Sequence, residues 1–427
     1  MKKHNIYFPA IVVLGALLIL GSIAYWFFYL PTAKSVGAGG FVGLNGNTQS
    51  TAAPEILPRT PCTDSTIGVF DACGWGDRLE TIGVSPDLLI VKKQSRTLTL
   101  ILDNLDVEEI PDQMQPCIEF SVLYLQSSYP ETPAIYPGDV LLKITKLLSA
   151  LTHTQMAALV VNYFTMEGWI LSPPAQRIAL SITKELSIYN TSPSFLAWLC
   201  DTIDLSACTH AIALGVANCN AQSIACLGSL GIGKISSLHL TELPRLQCLD
   251  YQLPSSHHSA GVLTLWKLPS DLDVSPEVAM SIAAKPWNEV SMDMSVWALI
   301  CSSAGKTIPV DGVLLLNVAD MKDLQMNGPN CQDNRTQAKT LVMQEAIKNV
   351  PITKAFFLTM VEWIHTNATS VENVYIQGLA DKKADADLNE FLETTAPIVL
   401  ARLPRLNKCL VNGFSIPIAP PTTLTPN

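Results

Sequence analysis

The chain has 427 residues, of which 48% are apolar and only 15% charged. That composition excludes a wholly disordered polymer and supplies core material for one long body or for two or three ordinary domains. The formal net charge is −10; because the first thirty residues hold Lys2 and Lys3 and no acid, the remainder carries −12 and lacks the basic stripe that a nucleic-acid partner demands.

Residues 1–7 form a short basic tail. Residues 8–30, FPAIVVLGALLILGSIAYWFFYL, contain no charge. Twenty-three such residues exceed the ~20 needed to cross a bilayer core. Tyr25, Trp26 and Tyr29 crowd the far end, where amphipathic rings favour the membrane–water interface. With Lys2 and Lys3 in front and only Lys34 close behind, the positive-inside bias puts the N-terminus in the cytoplasm and the body on the extracellular or lumenal side. A cleaved signal peptide is the rival, but its apolar region is ordinarily shorter, so an uncleaved signal anchor is expected. Residues 31–61, rich in Gly, Ser, Thr, Asn and Pro, read as a flexible stalk. Cys62 and Cys73 fall in residues 62–94, ahead of the first strand-like unit. They either pair within a small N-terminal cap or sit unpaired and buried.

From residue 95 to 416 one short pattern recurs: apolar, two residues, apolar, one residue, apolar, two residues, apolar. It appears first at Thr97, Leu100, Leu102 and Leu105, then at Cys117, Phe120, Val122 and Leu125. Two helices are expected next, at Asp139–Leu151 and His153–Met166, where apolar residues fall at helical spacing. The pattern resumes at Thr183, Leu186, Ile188 and Thr191. It is densest through Ala211, Leu214, Val216 and Cys219; Ile235, Leu238, Leu240 and Leu243; Ala260, Leu263, Leu265 and Leu268; Trp287, Val290, Met292 and Ser295; and Val310, Val313, Leu315 and Val318. In this block the third positions are 24, 25, 27 and 23 residues apart. Ser275-Pro276-Glu277 supplies a cap, a first-turn proline and an acid for a helix between two units. Further units stand at Val371, Val374, Ile376 and Leu379 and at Leu406, Cys409, Val411 and Phe414. Helices are expected over Thr353–His365 and Asp385–Thr394, and a loose Pro-rich tail over 417–427.

The two middle residues of each unit alternate, so they point to one face of a short strand. Leu214 and Val216, Leu238 and Leu240, Leu263 and Leu265, Val313 and Leu315, and Val374 and Ile376 are therefore the expected repeat core. One unit cannot bury such a face alone, but stacked neighbours can. The pattern resembles the leucine-rich repeat in its longer, helix-containing form, with Cys219 at the ninth position. The resemblance implies an α/β solenoid of parallel strands with outer helices and a curved, strand-lined binding surface. It departs from the family at most ninth positions, where Leu or Val replaces Asn or Cys, and in two wide intervals, Val122 to Ile188 and Leu315 to Ile376. Those intervals hold either decayed units or helical insertions.

Chemistry-bearing motifs are few. Gly228 to Ile235 nearly spells a phosphate loop but has Ile235 where a hydroxyl must bind magnesium. Gly305-Lys306-Thr307 lacks the first glycine, so both read as structural turns. His257-His258 has no carboxylate at ligand spacing, and Asp381–Asp387 lacks the glycine and glutamate of a calcium loop. No Gly-x-Ser-x-Gly elbow occurs. Asn190, Asn334 and Asn367 are acceptors for N-glycosylation if the body is lumenal. The expectation is a membrane-tethered module that recognises another protein, for adhesion or as a scaffold, without catalysis, cofactor or metal. The alternatives are a membrane-anchored hydrolase with dispersed catalytic residues and a self-associating coat protein.

Overall fold

The fold is defined by a computed structural model that describes residues 97–102, 106–110, 112, 122–127, 137–152, 154–166, 171–254, 260–319, 321–325, 338–345, 352–368, 370–377 and 386–418. All of these belong to one unit, Leu57–Asn427. The first elements are β1 (Thr97–Ile101), β2 (Val122–Gln126), α1 (Pro137–Ala150), β3 (Gln155–Asn162), β4 (Ile178–Ala179) and β5 (Ser181–Tyr189). Next come α2 (Pro193–Thr202), β6 (Ile203–Asp204), β7 (Ile212–Ala217), a 3-10 helix (Ala225–Leu230), β8 (Ile235–Thr241), β9 (Cys248–Leu249) and β10 (Ala260–Trp266). They are followed by β11 (Asp273–Val274), α3 (Pro276–Ala283), β12 (Trp287–Asp293), α4 (Met294–Ala304), β13 (Val310–Val318) and α5 (Met321–Gln325). The chain continues through β14 (Thr340–Glu345), α6 (Lys354–Asn367), β15 (Asn373–Gln377), α7 (Ala386–Thr394), α8 (Ala396–Leu400), β16 (Lys408–Val411) and β17 (Phe414–Ile416).

The protein is α/β with a mostly parallel sheet. Twelve strands run parallel in chain order, β1-β2-β3-β5-β7-β8-β10-β12-β13-β14-β15-β16, and β17 turns back antiparallel on β16. β4 pairs with β6 and β9 with β11, also in parallel, forming two small sheets. Two apolar rows cross the main sheet. One runs Leu123, Leu159, Leu186, Leu214, Leu238, Leu263, Val290, Leu314, Leu341, Val374 and Cys409, each opposite the next. The other starts at Leu100 opposite Leu125 and continues two residues along each strand to Val411. All are at most 2% exposed and join one core with Phe195, Ile282, Ile300, Phe357 and Phe391 from the helices. Ser192, Ser275 and Thr353 cap α2, α3 and α6, each accepting a hydrogen bond from the backbone N–H three residues on.

Several expectations need correction. His153–Met166 is not a helix: β3 occupies most of it, because Leu159 and Val161 alternate inward while Val160 and Ala158 are also covered. A strand buried on both faces reads as a continuous apolar run and imitates helical spacing. β3 fills the first wide interval, and β14 fills the second. In β2 the inward residues are Leu123 and Leu125, so Val122, one residue out of phase, faces the other way. Val313 and Leu315 are likewise not core; Leu314 and Leu316 take the inward positions. The cause is an extra residue in β13: Trp287 lies opposite Val310 and Glu289 opposite Val313, a bulge that reverses the phase of everything after it. Gly312 sits in this bulge, where a Cβ would stand 2.4 Å from the Asn288 carbonyl oxygen. The other eight expected core residues, Leu214, Val216, Leu238, Leu240, Leu263, Leu265, Val374 and Ile376, are buried.

α1, α6 and α7 occupy the other segments read as helices. The segment 8–30, Cys62, Cys73, Asn334, His257 and His258 lie outside the described residues. Among the described residues no helix is long and apolar enough to cross a membrane.

Candidate interaction face

Strand alternation that sends two rows inward sends the intervening residues to the opposite face. The middle row there reads Tyr124, Val160, Ser187, Gly215, His239, Thr264, Ser291, Leu315, Val342, Tyr375 and Leu410. None of its apolar members, Val160, Leu315, Val342 or Leu410, belongs to the core that the helices share. This face therefore lies outside that core, although Ser187, Thr264 and Ser291 in its middle are themselves buried.

Its first half is polar. The Ser187 hydroxyl donates to Glu185 on the same strand. Opposite Ser187 stands Gly215, where a Cβ would lie 3.0 Å from the Ser187 oxygen. Next comes His239, whose Nδ1 is 3.0 Å from the Thr264 hydroxyl. Burial holds the His239 imidazole below its ordinary pKa, while the nearby Glu185 charge opposes that shift. Burial also raises Tyr124 and Tyr189. On β12, Glu289, Ser291 and Asp293 share the face. Burial raises the Glu289 carboxyl; it raises Asp293 as well, against hydrogen bonds from Asn317 and the Leu268 N–H. Trp266, at the end of β10, lies in the row that joins Tyr189 to Asp293 and is partly exposed.

Where the strands leave the face, an asparagine ladder fixes the turns. Asn190 Nδ2 donates to Asn162 Oδ1 at 2.7 Å, Asn218 Nδ2 donates to Asn190 Oδ1 at 2.6 Å, and Asn162 Nδ2 reaches the Tyr124 hydroxyl. Asn190 and Asn218 have φ of 51° and 57°, and Tyr163, Glu242, Lys267 and Asn412 are left-handed at the same place after their strands. The backbone N–H of Tyr163, Asn190, Asn218, Glu242 and Asn412 bonds the carbonyl of a neighbouring strand, as Asn190 does to Ala217 at 3.0 Å. Register here rests on backbone and on an asparagine one position before the expected ninth-position ladder.

Of the acceptor asparagines, Asn190 is thus engaged on both sides of its amide, and Asn367 donates to the Trp363 carbonyl at 3.0 Å from the last turn of α6. The Gly228–Ile235 stretch holds the end of the 3-10 helix Ala225–Leu230, its left-handed cap Gly231 with φ of 69°, and the lead into β8. Gly305 is the left-handed cap of α4. Ser187 donates to a carboxylate rather than to an imidazole, so Ser187, Glu185 and His239 do not stand in the order of a nucleophile relay. Among the described residues no three His, Cys, Asp or Glu groups converge as a metal site. Sequence reasoning passed over Tyr124, Tyr189, Glu185, Ser187 and His239; the alternation around each inward pair was the signal that could have found them. Compared with known proteins, the chain matches no family model, no curated protein and no solved structure.

Proposed function

We propose that this chain is a membrane-tethered protein-binding module: an anchor at 8–30 carries a leucine-rich-repeat-like solenoid on the non-cytoplasmic side, and a protein partner seats on the second face of the sheet. The observation that carries the reading is that twelve parallel strands follow one another in chain order, with one continuous core on one face and an independent set of side chains on the other. Stacked coils sharing a core expose extended faces used for binding. Tyr124, Tyr189, Trp266 and His239 give the first half of that face aromatic area with polar tips, a composition suited to interface anchors.

The test is proximity labelling from the native membrane, followed by binding of each hit to the full chain in detergent. A triple variant, Tyr189→Ala with His239→Ala and Trp266→Ala, should weaken a true partner at least about tenfold. A helix-side control, Leu142→Ala with Met280→Ala, alters two exposed apolar residues and should leave binding intact. Equal binding to both variants would refute the reading. Retention of only a second copy of this chain would replace it with the self-associating coat. Protease added to sealed vesicles should spare the body; digestion from outside would reverse the topology.

A further inference from the structure

The middle of the body brings two cysteines together from successive coils. Cys200 lies in the last turn of α2 and is 0% exposed. Cys226 is the second residue of the 3-10 helix Ala225–Leu230, partly buried against the core. α2 packs directly on this helix, and each thiol perturbs the other's ionisation across that contact. The surrounding backbone is held in place. Arg177 donates to the Cys200, Ile203 and Ser229 carbonyls, so one guanidinium ties the end of α2 to the end of the 3-10 helix. Asp250 fixes the other end, accepting from Ile224 N–H at 2.9 Å and from the Ser223 hydroxyl at 2.5 Å. Cys219 is also near Cys226, but it is buried in the stretch that follows β7 rather than on either of the two packed helices.

We propose that Cys200 and Cys226 are a disulfide-forming pair that closes into a cross-link between adjacent coils when the protein meets a disulfide oxidant. The pair is unequal in access: Cys200 is sealed in the core while Cys226 is only half-buried, so Cys226 is the thiol an oxidant reaches first. Cys226 Sγ attacks one sulfur of the oxidant and releases its other half as a thiolate. Cys200 then loses its proton and attacks Cys226 Sγ, forming the cross-link and expelling the second oxidant thiol. Two electrons and two protons pass to the oxidant. The two elements that carry the thiols already pack on each other, and Arg177 holds their ends together, so closure draws on side chains of neighbouring segments. This proposal is independent of what binds the second face.

The full chain in detergent is incubated with oxidised glutathione, blocked with N-ethylmaleimide, denatured and digested without reduction. Mass spectrometry should find the Cys200 and Cys226 peptides joined and two hydrogens lighter, with a melting temperature a few degrees higher that dithiothreitol reverses. In Cys200→Ser, Cys226 should stop as the mixed disulfide with glutathione. If both wild-type cysteines carry maleimide, or if Cys226 pairs with Cys219 instead, the assignment is wrong. Because the wild-type peptide map needs no variant, a misfolded Cys200→Ser protein does not rescue or sink the idea.

Discussion

The two halves of the second sheet face stand on the same foundation and carry different chemistry. Under the first half, Leu186, Leu214 and Leu238 form the inward row; under the second, Leu314, Leu341 and Val374 do. Yet the outward residues change from Ser187, Gly215, His239 and Thr264 to Leu315, Val342, Tyr375 and Leu410. The inward positions are held to aliphatic residues, Met and Cys by a shared core, and every neighbour enforces the choice. The outward ones lie outside that core, and their composition diverges from one half of the sheet to the other. The polar half offers hydrogen-bonding groups already desolvated; the apolar half offers area, with Lys408 over the Tyr375 ring at 5.6 Å.

The sharpest way to break this comparison is to weigh the two faces directly. Leu240→Ala removes a side chain that is 0% exposed and stands between Val216 and Leu265 of the neighbouring strands, and should cost about 3 kcal/mol. Leu410→Ala, an apolar truncation on the second face, should cost less than about 1 kcal/mol. Denaturant unfolding of both, by far-UV circular dichroism, checks the ordering, and equal losses would mean that the second face is itself a core. Next in size is Gly312→Ala. Its Cβ would be driven to 2.4 Å from a backbone oxygen that cannot rotate away, so the bulge must shift, at roughly 2 kcal/mol. Gly215→Ala meets only the Ser187 hydroxyl at 3.0 Å, and rotation of that side chain should hold the loss to about 1 kcal/mol.

These positions also explain what was legible in advance. Eight of ten expected core residues are inward because their units place polar or small residues between the apolar pair, as Ser236, Ser237 and His239 do around Leu238 and Leu240. Phase was lost where that contrast vanishes. Val313-Leu314-Leu315-Leu316 fits the pattern in either register, and only the bulge at Gly312 decides between them. The helix expected over 153–166 failed for the same reason, since a strand covered on both faces carries no alternation to read. The second face was unread because no motif marks it: Glu185, Ser187 and His239 lie on two strands separated by Gly215 and meet only once the register is set. The thiol pair was invisible for a similar reason, being 26 positions apart in a cluster of unpaired-looking cysteines.

Smaller still is the asparagine ladder that borders the polar half, of which Asn317 donating to Asp293 is a single further rung. Asn190→Gly keeps the left-handed backbone and loses two amide hydrogen bonds; Asn190→Ala loses the bonds and strains a φ of 51°. The expected order of stability is wild type, then Gly, then Ala, with about 1 kcal/mol between the first and the last. If Gly and Ala are equally damaging, the backbone conformation is unimportant and the side-chain ladder alone holds the turns.

The finest distinction within the polar half is one of sign with pH. The imidazole of His239 is held below its unfolded pKa by burial, so folding favours its neutral form. Its contribution is fully present above the unfolded value of about 6.5 and is lost as pH falls toward the folded one. The Glu289 carboxyl is shifted the other way, raised by burial. Its neutral form is favoured, so its contribution is present below the unfolded value and lost as pH rises through the folded one. Accordingly, His239→Gln should remove part of the destabilisation seen between pH 6.5 and 5, and Glu289→Gln should stabilise at pH 7 and do nothing at pH 4. Each effect should lie within about 1 kcal/mol. Melting curves of the two variants across that range should diverge from wild type at opposite ends. Wild-type-like slopes in both would mean that the face is open enough for water to solvate its charges, and the contrast with the sealed inward rows would then be larger than the burial of these side chains implies.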